Sequence, residues 1–265
     1  MAELGTRVLY IDLSTEKYWV EELSADIIRK YIGGRGINAY LLYRMVKPET
    51  DPLSPENVLI FGAGTLNGTF APCSGRITVT TKSPATGLYM KSSAGGYFGP
   101  MLKYAGYQHI AITGKSSKPT FIYIDNDQVE FRPAQVIWGK DVRTSSEWLK
   151  SEVGDENAEV ACIGPAGENL VRFASIMVSV YNAAGRGGTG AVMGSKNLKA
   201  VVVRGNKSLQ VANPDLFART SYAAREALVE DPGSRKYYVT GTAGSVIPVN
   251  ELKAFPSKNF QTGYM

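Results

Sequence analysis

The feature that most constrains the fold is a glycine-rich segment that occurs twice. Residues 94–100 read AGGYFGP and residues 185–191 read GRGGTGA, and an offset of 91 positions aligns two glycines of each segment. The same offset aligns the apolar run 110–112 with the apolar run 201–203. Matches that continue in phase indicate an internal duplication, in which each copy is a glycine-rich loop, a short helix or turn, and an apolar strand.

The duplicated glycines favour a site for phosphate. Glycine reaches positive φ and lets the backbone approach a ligand closely, and successive N–H groups in such loops form anion-binding nests. Two copies related by an approximate two-fold axis would present two such loops to one site. That site suits one ligand with two phosphates or two ligands with one phosphate each. The alternative, that the glycines only permit tight turns and close sheet packing, stays open.

Composition limits the chemistry within this chain. Hydrophobic residues make up 44% and charged residues 20%, which allows a large buried core and excludes wholesale disorder. Cys73 and Cys162 are 89 positions apart and His109 is the only histidine, which excludes a zinc site, an iron–sulfur cluster or a His-based metal triad made by this chain alone. The net charge of +5 favours anionic small molecules or acidic partner proteins and is too diffuse to indicate nucleic-acid binding.

The sequence also predicts a cellular location. No apolar stretch approaches the roughly 18 residues of a membrane span, and the first residues contain no secretory apolar region. The two isolated cysteines do not form a disulfide framework and fit a reducing compartment. We therefore expect a cytoplasmic protein without a membrane partner.

Hydrophobic periodicity predicts the main elements. Residues 7–13 and 17–20 form an opening hairpin, and Thr144–Val153 form an amphipathic helix in which Thr144 and Glu147 make a capping box. A strand is expected at 171–177.

The chain changes character near residue 210. Before this point the pattern is rich in strands, and after residues 213–215 it becomes an Ala-, Arg- and Glu-rich helical pattern. We expect a sheet-rich domain at 1–210 and the incomplete start of a helical domain at 211–265.

Two nucleotide-binding motifs are imitated by the second glycine segment. Residues 185–190 satisfy GxGxxG, but residues 204–208 (RGNKS) lack the acidic residue that would hold a ribose, and the chain does not alternate strand and helix. Residues 190–196 place the lysine in the wrong order for a Walker loop. Both nucleotide-binding folds are disfavoured.

Two arginines are candidate ligands for an anion. Arg76 opens a predicted strand and Arg186 lies inside the second glycine segment, and either guanidinium could reach a phosphate or an oxidised ring system. The alternative for each is a surface ion pair. His109 is expected to be structural or exposed, and Asp125 and Asp127 are expected to be hairpin-turn residues.

Eight blocks of sequence resemble, in order and nearly end to end, the N-terminal domain of the tungsten-containing aldehyde:ferredoxin oxidoreductases. The resemblance implies an α+β fold with two similar mixed β-sheets related by a pseudo-two-fold axis, flanked by short helices and followed by the start of a helical domain. The blocks are DPLSPEN (51–57), TKSP (81–84), GGYFG (95–99), LKYAGY (102–107), IGPAGEN (163–169), AAGRGG (183–188), AVMGSKNLK (191–199) and KNFQTG (258–263).

The resemblance also implies a cofactor. In that family two pterin-dithiolene cofactors (tungstopterin) chelate one tungsten, or in the alternative molybdenum, and a magnesium ion joins their phosphates. By position, the backbone carbonyls of Ser93 and Ala183 would bind the magnesium ion, and no catalytic side chain is expected in this domain. The implied cofactor-binding residues are Arg76, Ser93, Gly95, Gly96, Asn182, Ala183, Gly185, Arg186 and Gly187.

The chain departs from the family pattern at two of these positions. Ser93 stands where Asn is usual, and Asn182 stands where Arg is usual. A main-chain contact at 93 would tolerate the change. Loss of a cation at 182 is expected to weaken contact with phosphate or to mark a subfamily with another substrate.

The resemblance implies that the whole enzyme oxidises an aldehyde to a carboxylate and passes electrons through a [4Fe–4S] cluster to ferredoxin. In that family downstream helical domains supply the cluster cysteines and most of the substrate pocket. We therefore expect the chain to be inactive alone, as a fragment or as a short subunit whose partner carries the cluster, with a homodimer also open. The alternatives are a non-catalytic scaffold, a related tungsten enzyme with a non-aldehyde substrate, and a plain nucleotide-binding module.

Overall fold

Alternating apolar and polar residues at the start of the chain form the hairpin that the sequence predicts. In the computed structural model, which describes residues 5–265, β1 (Thr6–Asp12) pairs antiparallel with β2 (Lys17–Leu23). β1 is largely buried, whereas β2 is exposed along most of its length because it forms the edge of its sheet.

The described strands form two six-stranded sheets. The first has the order β2-β1-β6-β3-β4-β5 and the second has the order β8-β7-β12-β9-β10-β11. The remaining strands of the first sheet are β3 (Leu59–Ala63), β4 (Ile77–Lys82), β5 (Tyr89–Ala94) and β6 (His109–Thr113). Those of the second are β7 (Thr120–Asp125), β8 (Gln128–Pro133), β9 (Glu159–Cys162), β10 (Ile176–Val178), β11 (Asn182–Ala184) and β12 (Leu198–Arg204).

The two sheets have the same connectivity, since each strand of the first corresponds to the strand six places later. β1 pairs parallel with β6, β7 pairs parallel with β12, and the other neighbours in both sheets are antiparallel. The predicted α+β fold with two similar mixed sheets is confirmed.

Short helices flank the sheets. α3 and α6 are equivalent in the two copies and begin 91 positions apart, as the glycine offset predicts. The helices are α1 (Ala25–Tyr31), α2 (Arg35–Met45), α3 (Phe98–Tyr104), α4 (Val142–Val153), α5 (Pro165–Glu168), α6 (Thr189–Ser195), α7 (Pro214–Glu230), α8 (Pro232–Thr240) and α9 (Val246–Glu251). None within residues 5–265 is both long and apolar enough to cross a bilayer.

Residues from both sheets share one core. Phe61 and Ile110 of the first sheet belong to the same buried cluster as Val201 of the second, together with Phe98 of α3 and Val192 of α6. Two smaller clusters lie on the other faces of the sheets, one beneath α2 and one beneath α4. The shared core fixes the two copies relative to each other.

Three local predictions are wrong in detail. The amphipathic helix begins at Val142, and its N-cap is Asp141, whose carboxylate accepts a hydrogen bond from the Thr144 N–H at 3.0 Å. An Asp in this position competes effectively with the predicted Thr144 cap. The strand expected at 171–177 is reduced to Ile176–Val178, and β5 and β11 were not predicted.

Contacts divide the chain into two units. One comprises the described residues up to 69 together with 73–212, and the other comprises 70–72 and 213–265. Both sheets lie in the first unit, and α7, α8 and α9 lie in the second.

A buried polar cluster holds the only histidine beneath α2. Asn38 donates its amide hydrogens to Thr78 O and to Thr80 Oγ1, so its Oδ1 accepts from His109 Nδ1, at 2.7 Å. His109 is fully buried, and its Nε2 has no hydrogen-bond partner among the described residues. Burial disfavours the charged imidazole and lowers the pKa of His109 to about 3.

We expect His109 to make stability fall on acidification. Because the folded pKa lies below the unfolded value, the unfolded chain takes up the extra proton as the pH drops below about 6.5. The free energy of unfolding should therefore fall by about 2 kcal/mol between pH 7.5 and pH 5. Urea titrations at several pH values measure this, with His109→Gln as the control that removes the titrating group. Equal pH slopes for the two proteins would contradict the assignment.

Candidate functional site

The two glycine-rich segments occupy equivalent places in the two sheets. Loop 1 (residues 95–97) joins β5 to α3, and loop 2 (residues 185–188) joins β11 to α6. Loop 2 is one residue longer, so Ser93 and Ala183 are equivalent positions, each one residue before its strand ends.

The two loops follow β5 and β11, which are in contact with each other, and each loop packs against residues of the other copy. A methyl group added to Gly95 would lie 2.9 Å from Asn182 Oδ1, and one added to Gly96 would lie 2.7 Å from Ser179 Oγ. In the reverse direction, a methyl group at Gly188 would lie 2.5 Å from Pro84 Cγ. Each loop therefore packs closely against the opposite copy, and a larger residue at any of these glycines would require its neighbours to shift.

The loops hold their backbone in conformations that favour glycine. φ is +89° at Gly96, and it is +59°, +56° and +82° at Arg186, Gly187 and Gly188. Within residues 5–265, the N–H groups of Gly95, Gly96 and Gly187 make no hydrogen bond. Backbone donors in positive-φ loops without internal acceptors are a common way to bind an anion.

Strain is concentrated beside loop 1. The turn between β10 and β11 has φ of +49° at Ser179 and +65° at Val180. A β-branched residue rarely adopts this region, and such outliers persist where the surrounding structure enforces them. The turn brings Ser179 against Gly96, so this strained segment packs directly on loop 1.

Each loop has one exposed arginine beside it. Arg186 lies in loop 2, and Arg76 follows Gly75, whose added methyl group would lie 3.5 Å from Gly96 O. Neither arginine forms an ion pair with an acidic residue in the described part of the chain. The surface ion pair that the sequence left open is therefore not observed within that part.

The structure places the predicted binding residues in β5, β11 and the loops that follow them, except for Arg76, which precedes β4. Asn182 contacts loop 1, and Gly185 begins loop 2. Ser93 Oγ lies 3.3 Å from Thr78 Oγ1, and Ala183 is exposed opposite Met177. Whether any of them binds a cofactor stays a prediction.

Other candidate side chains lie elsewhere or are structural. Asp127 lies in the β7–β8 turn and forms ion pairs with Arg7 and Lys207, so its assignment to a turn is confirmed. Cys73 is exposed and free, whereas Cys162 is buried and burial raises the pKa of its thiol. No group of three or more His, Cys, Asp or Glu residues within 5–265 is arranged to hold a metal ion.

Sequence reasoning missed the serines that lie beneath the loops. Ser83 Oγ donates to Gly187 O at 2.7 Å, and Ser179 Oγ donates to Glu159 Oε2 at 2.5 Å. Ser83 belongs to the TKSP block, which carried only a family resemblance. No local pattern signals a contact between positions 104 apart.

A comparison with known protein families identifies the family of this chain. The family model described as the N-terminal domain of aldehyde ferredoxin oxidoreductase matches residues 8–205. The chain belongs to this family. The resemblance predicted from the sequence is confirmed over most of the chain. The matched residues include both loops and nearly all of both sheets.

Two relatives from Pyrococcus furiosus match nearly the whole length of this chain. The tungsten-containing aldehyde ferredoxin oxidoreductase is 48% identical over 97% of this chain and 43% of its own length. The WOR-like subunit of an aliphatic sulfonate oxidoreductase is 38% identical, also over 97% of this chain and 43% of its own. The chain thus spans less than half the length of these curated relatives.

A solved structure has the same fold. It is the active-site complex of a benzoyl-coenzyme A reductase with 1,5-dienoyl-CoA, and it superimposes with a TM-score of 0.82 at 44% identity. The match covers 84% of this chain and 34% of that chain. Proteins similar to this chain therefore carry names that give different substrates.

We expect Gly188→Ala to destabilise the chain far more than Gly139→Ala. The two glycines have nearly equal φ, +82° and +83°, but Gly139 has open space around it, whereas a methyl group at Gly188 meets Arg172 O and Pro84. Gly139→Ala should cost about 1–2 kcal/mol from backbone strain alone, and Gly188→Ala should cost about 1–3 kcal/mol more from overpacking. Thermal unfolding measures both. Equal losses would show that the contact between loop 2 and the first sheet is absent.

Proposed function

We propose that this chain is the pterin-cofactor-binding part of a tungsten oxidoreductase that oxidises aldehydes to carboxylates with ferredoxin as electron acceptor. In this proposal residues 1–210 form the cofactor-binding domain, and residues 211–265 begin a helical domain. The observation that carries it is the pair of equivalent glycine loops, each packed against the opposite copy, in a chain whose relatives include tungsten-containing aldehyde ferredoxin oxidoreductases.

The residues at the two loops fit a cofactor with two equivalent phosphate-bearing halves. Each loop offers backbone N–H groups that have no acceptor among the described residues. Its glycines have no side chain, so a ligand can approach the backbone closely. Arg76 and Arg186 offer one guanidinium to each half. Ser93 and Ala183 are equivalent in the duplication, so their carbonyls are the natural pair for a magnesium ion between the two phosphates.

The chemistry is divided between the cofactor and the chain. When bound, tungsten supplies the two-electron oxidation in which an aldehyde and water become a carboxylate, with release of protons and two electrons. The residues of this chain bind and orient the pterins through loops 1 and 2. We assign no acid or base to them.

The rest of the machinery belongs outside residues 1–265 in this proposal. A [4Fe–4S] cluster needs more cysteines than Cys73 and Cys162, and Cys162 is buried in the core beneath α4. We place the cluster and the substrate pocket in the remaining length of the protein or in a partner subunit. The positive net charge of +5 favours an acidic partner such as ferredoxin.

A second candidate is a related tungsten enzyme with a substrate that is not an aldehyde. Asn182 lies against Gly95 and brings no charge to loop 1, where the family pattern has an arginine. The relatives with this domain include a sulfonate oxidoreductase subunit and a benzoyl-coenzyme A reductase complex. The contact at Asn182 bears on cofactor binding, whereas the substrate is chosen by residues beyond this chain.

We expect the protein, purified with any copurifying partner from cells supplied with tungstate, to contain tungsten and pterin in a one-to-two ratio. Arg186→Ala should weaken retention of the pterin by about 1.5–3 kcal/mol, since it removes a charge-assisted hydrogen bond. Elemental analysis and pterin fluorescence measure both. Arg29→Ala is the control, because Arg29 is exposed, lies outside both loops and pairs with Asp26.

The outcomes separate the alternatives. Protein with neither tungsten nor molybdenum would contradict the proposal and favour a non-catalytic scaffold. Tungsten without aldehyde oxidation would favour the second candidate. Equal pterin retention in Arg186→Ala and Arg29→Ala would remove Arg186 from the site.

A further inference from the structure

Ser83 is fully buried, and its hydroxyl group both accepts and donates hydrogen bonds. Its Oγ accepts hydrogen bonds from Ala85 N at 3.1 Å and Thr86 N at 3.2 Å. Because those two contacts use the oxygen as an acceptor, its hydrogen is left for Gly187 O, at 2.7 Å. The β4–β5 connection thus holds the Ser83 hydroxyl and aims it at loop 2.

The bond from Ser83 selects one orientation of the Gly187–Gly188 peptide. Gly188 N donates to Arg186 O at 2.7 Å, so the peptide is held at its oxygen by Ser83 and at its nitrogen by loop 2 itself. Glycine populates positive and negative φ with similar ease, so a peptide between two glycines flips readily unless an outside contact prevents it. Ser83 is that contact, and it comes from the opposite sheet.

The duplication places a serine beside loop 1 as well, although the hydroxyl of that serine bonds to a different partner. The β10–β11 turn of the second sheet is equivalent to the β4–β5 connection of the first, and it brings Ser179 against Gly96 of loop 1. Ser179 is held in turn by Glu159. A serine from the opposite copy therefore lies against each loop, and of these two serines Ser83 is the one that donates a hydrogen bond to its loop.

We propose that Ser83 is a positioning residue that fixes loop 2 for the bound cofactor through the Gly187 carbonyl. The inference rests on the proposed function. Ser83 has no exposed surface, so it acts through loop 2 without touching the cofactor. Its loss frees the Gly187–Gly188 peptide to rotate, and the N–H groups of loop 2 then no longer point in a fixed direction.

The experiment compares Ser83→Ala with Ser145→Ala in the cofactor-loaded protein and its copurifying partner. Ser145 is also fully buried, and its Oγ also donates to a backbone carbonyl at 2.7 Å, that of Asp141 at the start of α4. Pterin release is followed by fluorescence well below the melting temperature. We expect Ser83→Ala to release pterin about three- to tenfold faster than wild type, as the loss of one hydrogen bond implies, and Ser145→Ala to release it at the wild-type rate.

Amide hydrogen exchange is the second measurement and does not depend on the cofactor. Exchange in residues 185–190 should rise in Ser83→Ala and stay unchanged in Ser145→Ala. Equal release rates, or unchanged exchange in loop 2, would overturn the role of Ser83 while leaving the proposed function intact. Wild-type protein without pterin would overturn both.

Discussion

The structure depends on how closely each glycine loop packs against the opposite copy of the duplicated sheet. Loop 1 lies against Ser179 and Asn182, and loop 2 lies against Pro84, so closely that an added methyl group would come within 3.0 Å of each. Close packing of this kind leaves little freedom for either loop. The shared hydrophobic core stabilises the close packing of the two copies. The stability therefore does not require the loop N–H groups to bond within the described part of the chain.

Duplication gives the two halves equal topology but unequal chemistry. Loop 2 contains its own arginine, Arg186, within three consecutive positive-φ residues. Loop 1 has no arginine, and Arg76 precedes β4, next to Gly75, which lies close to Gly96 of loop 1. A ligand with two similar halves would meet one guanidinium on each side, supplied from different positions. Asn182 adds a further asymmetry because it is neutral and lies against loop 1.

The sequence predicts the frame of this fold and the loops, but not the contacts between the copies. Apolar runs such as β6 and β12 lie at the glycine offset, so the duplication was visible directly. β5 and β11 were missed because SSA and NAA at their ends lack the β-branched and aromatic residues that mark strands. Ser83 was missed because its partner is 104 positions away in the other sheet, where only tertiary packing creates the bond.

The central claim is that loops 1 and 2 bind one tungsten–pterin cofactor between them. Crystals of the complete protein with its copurifying partner, measured at the tungsten absorption edge, test it most directly. The account predicts a single anomalous peak between loops 1 and 2, with a pterin phosphate on each loop. A peak flanked by only one loop, or one remote from both Gly95 and Gly185, would contradict it.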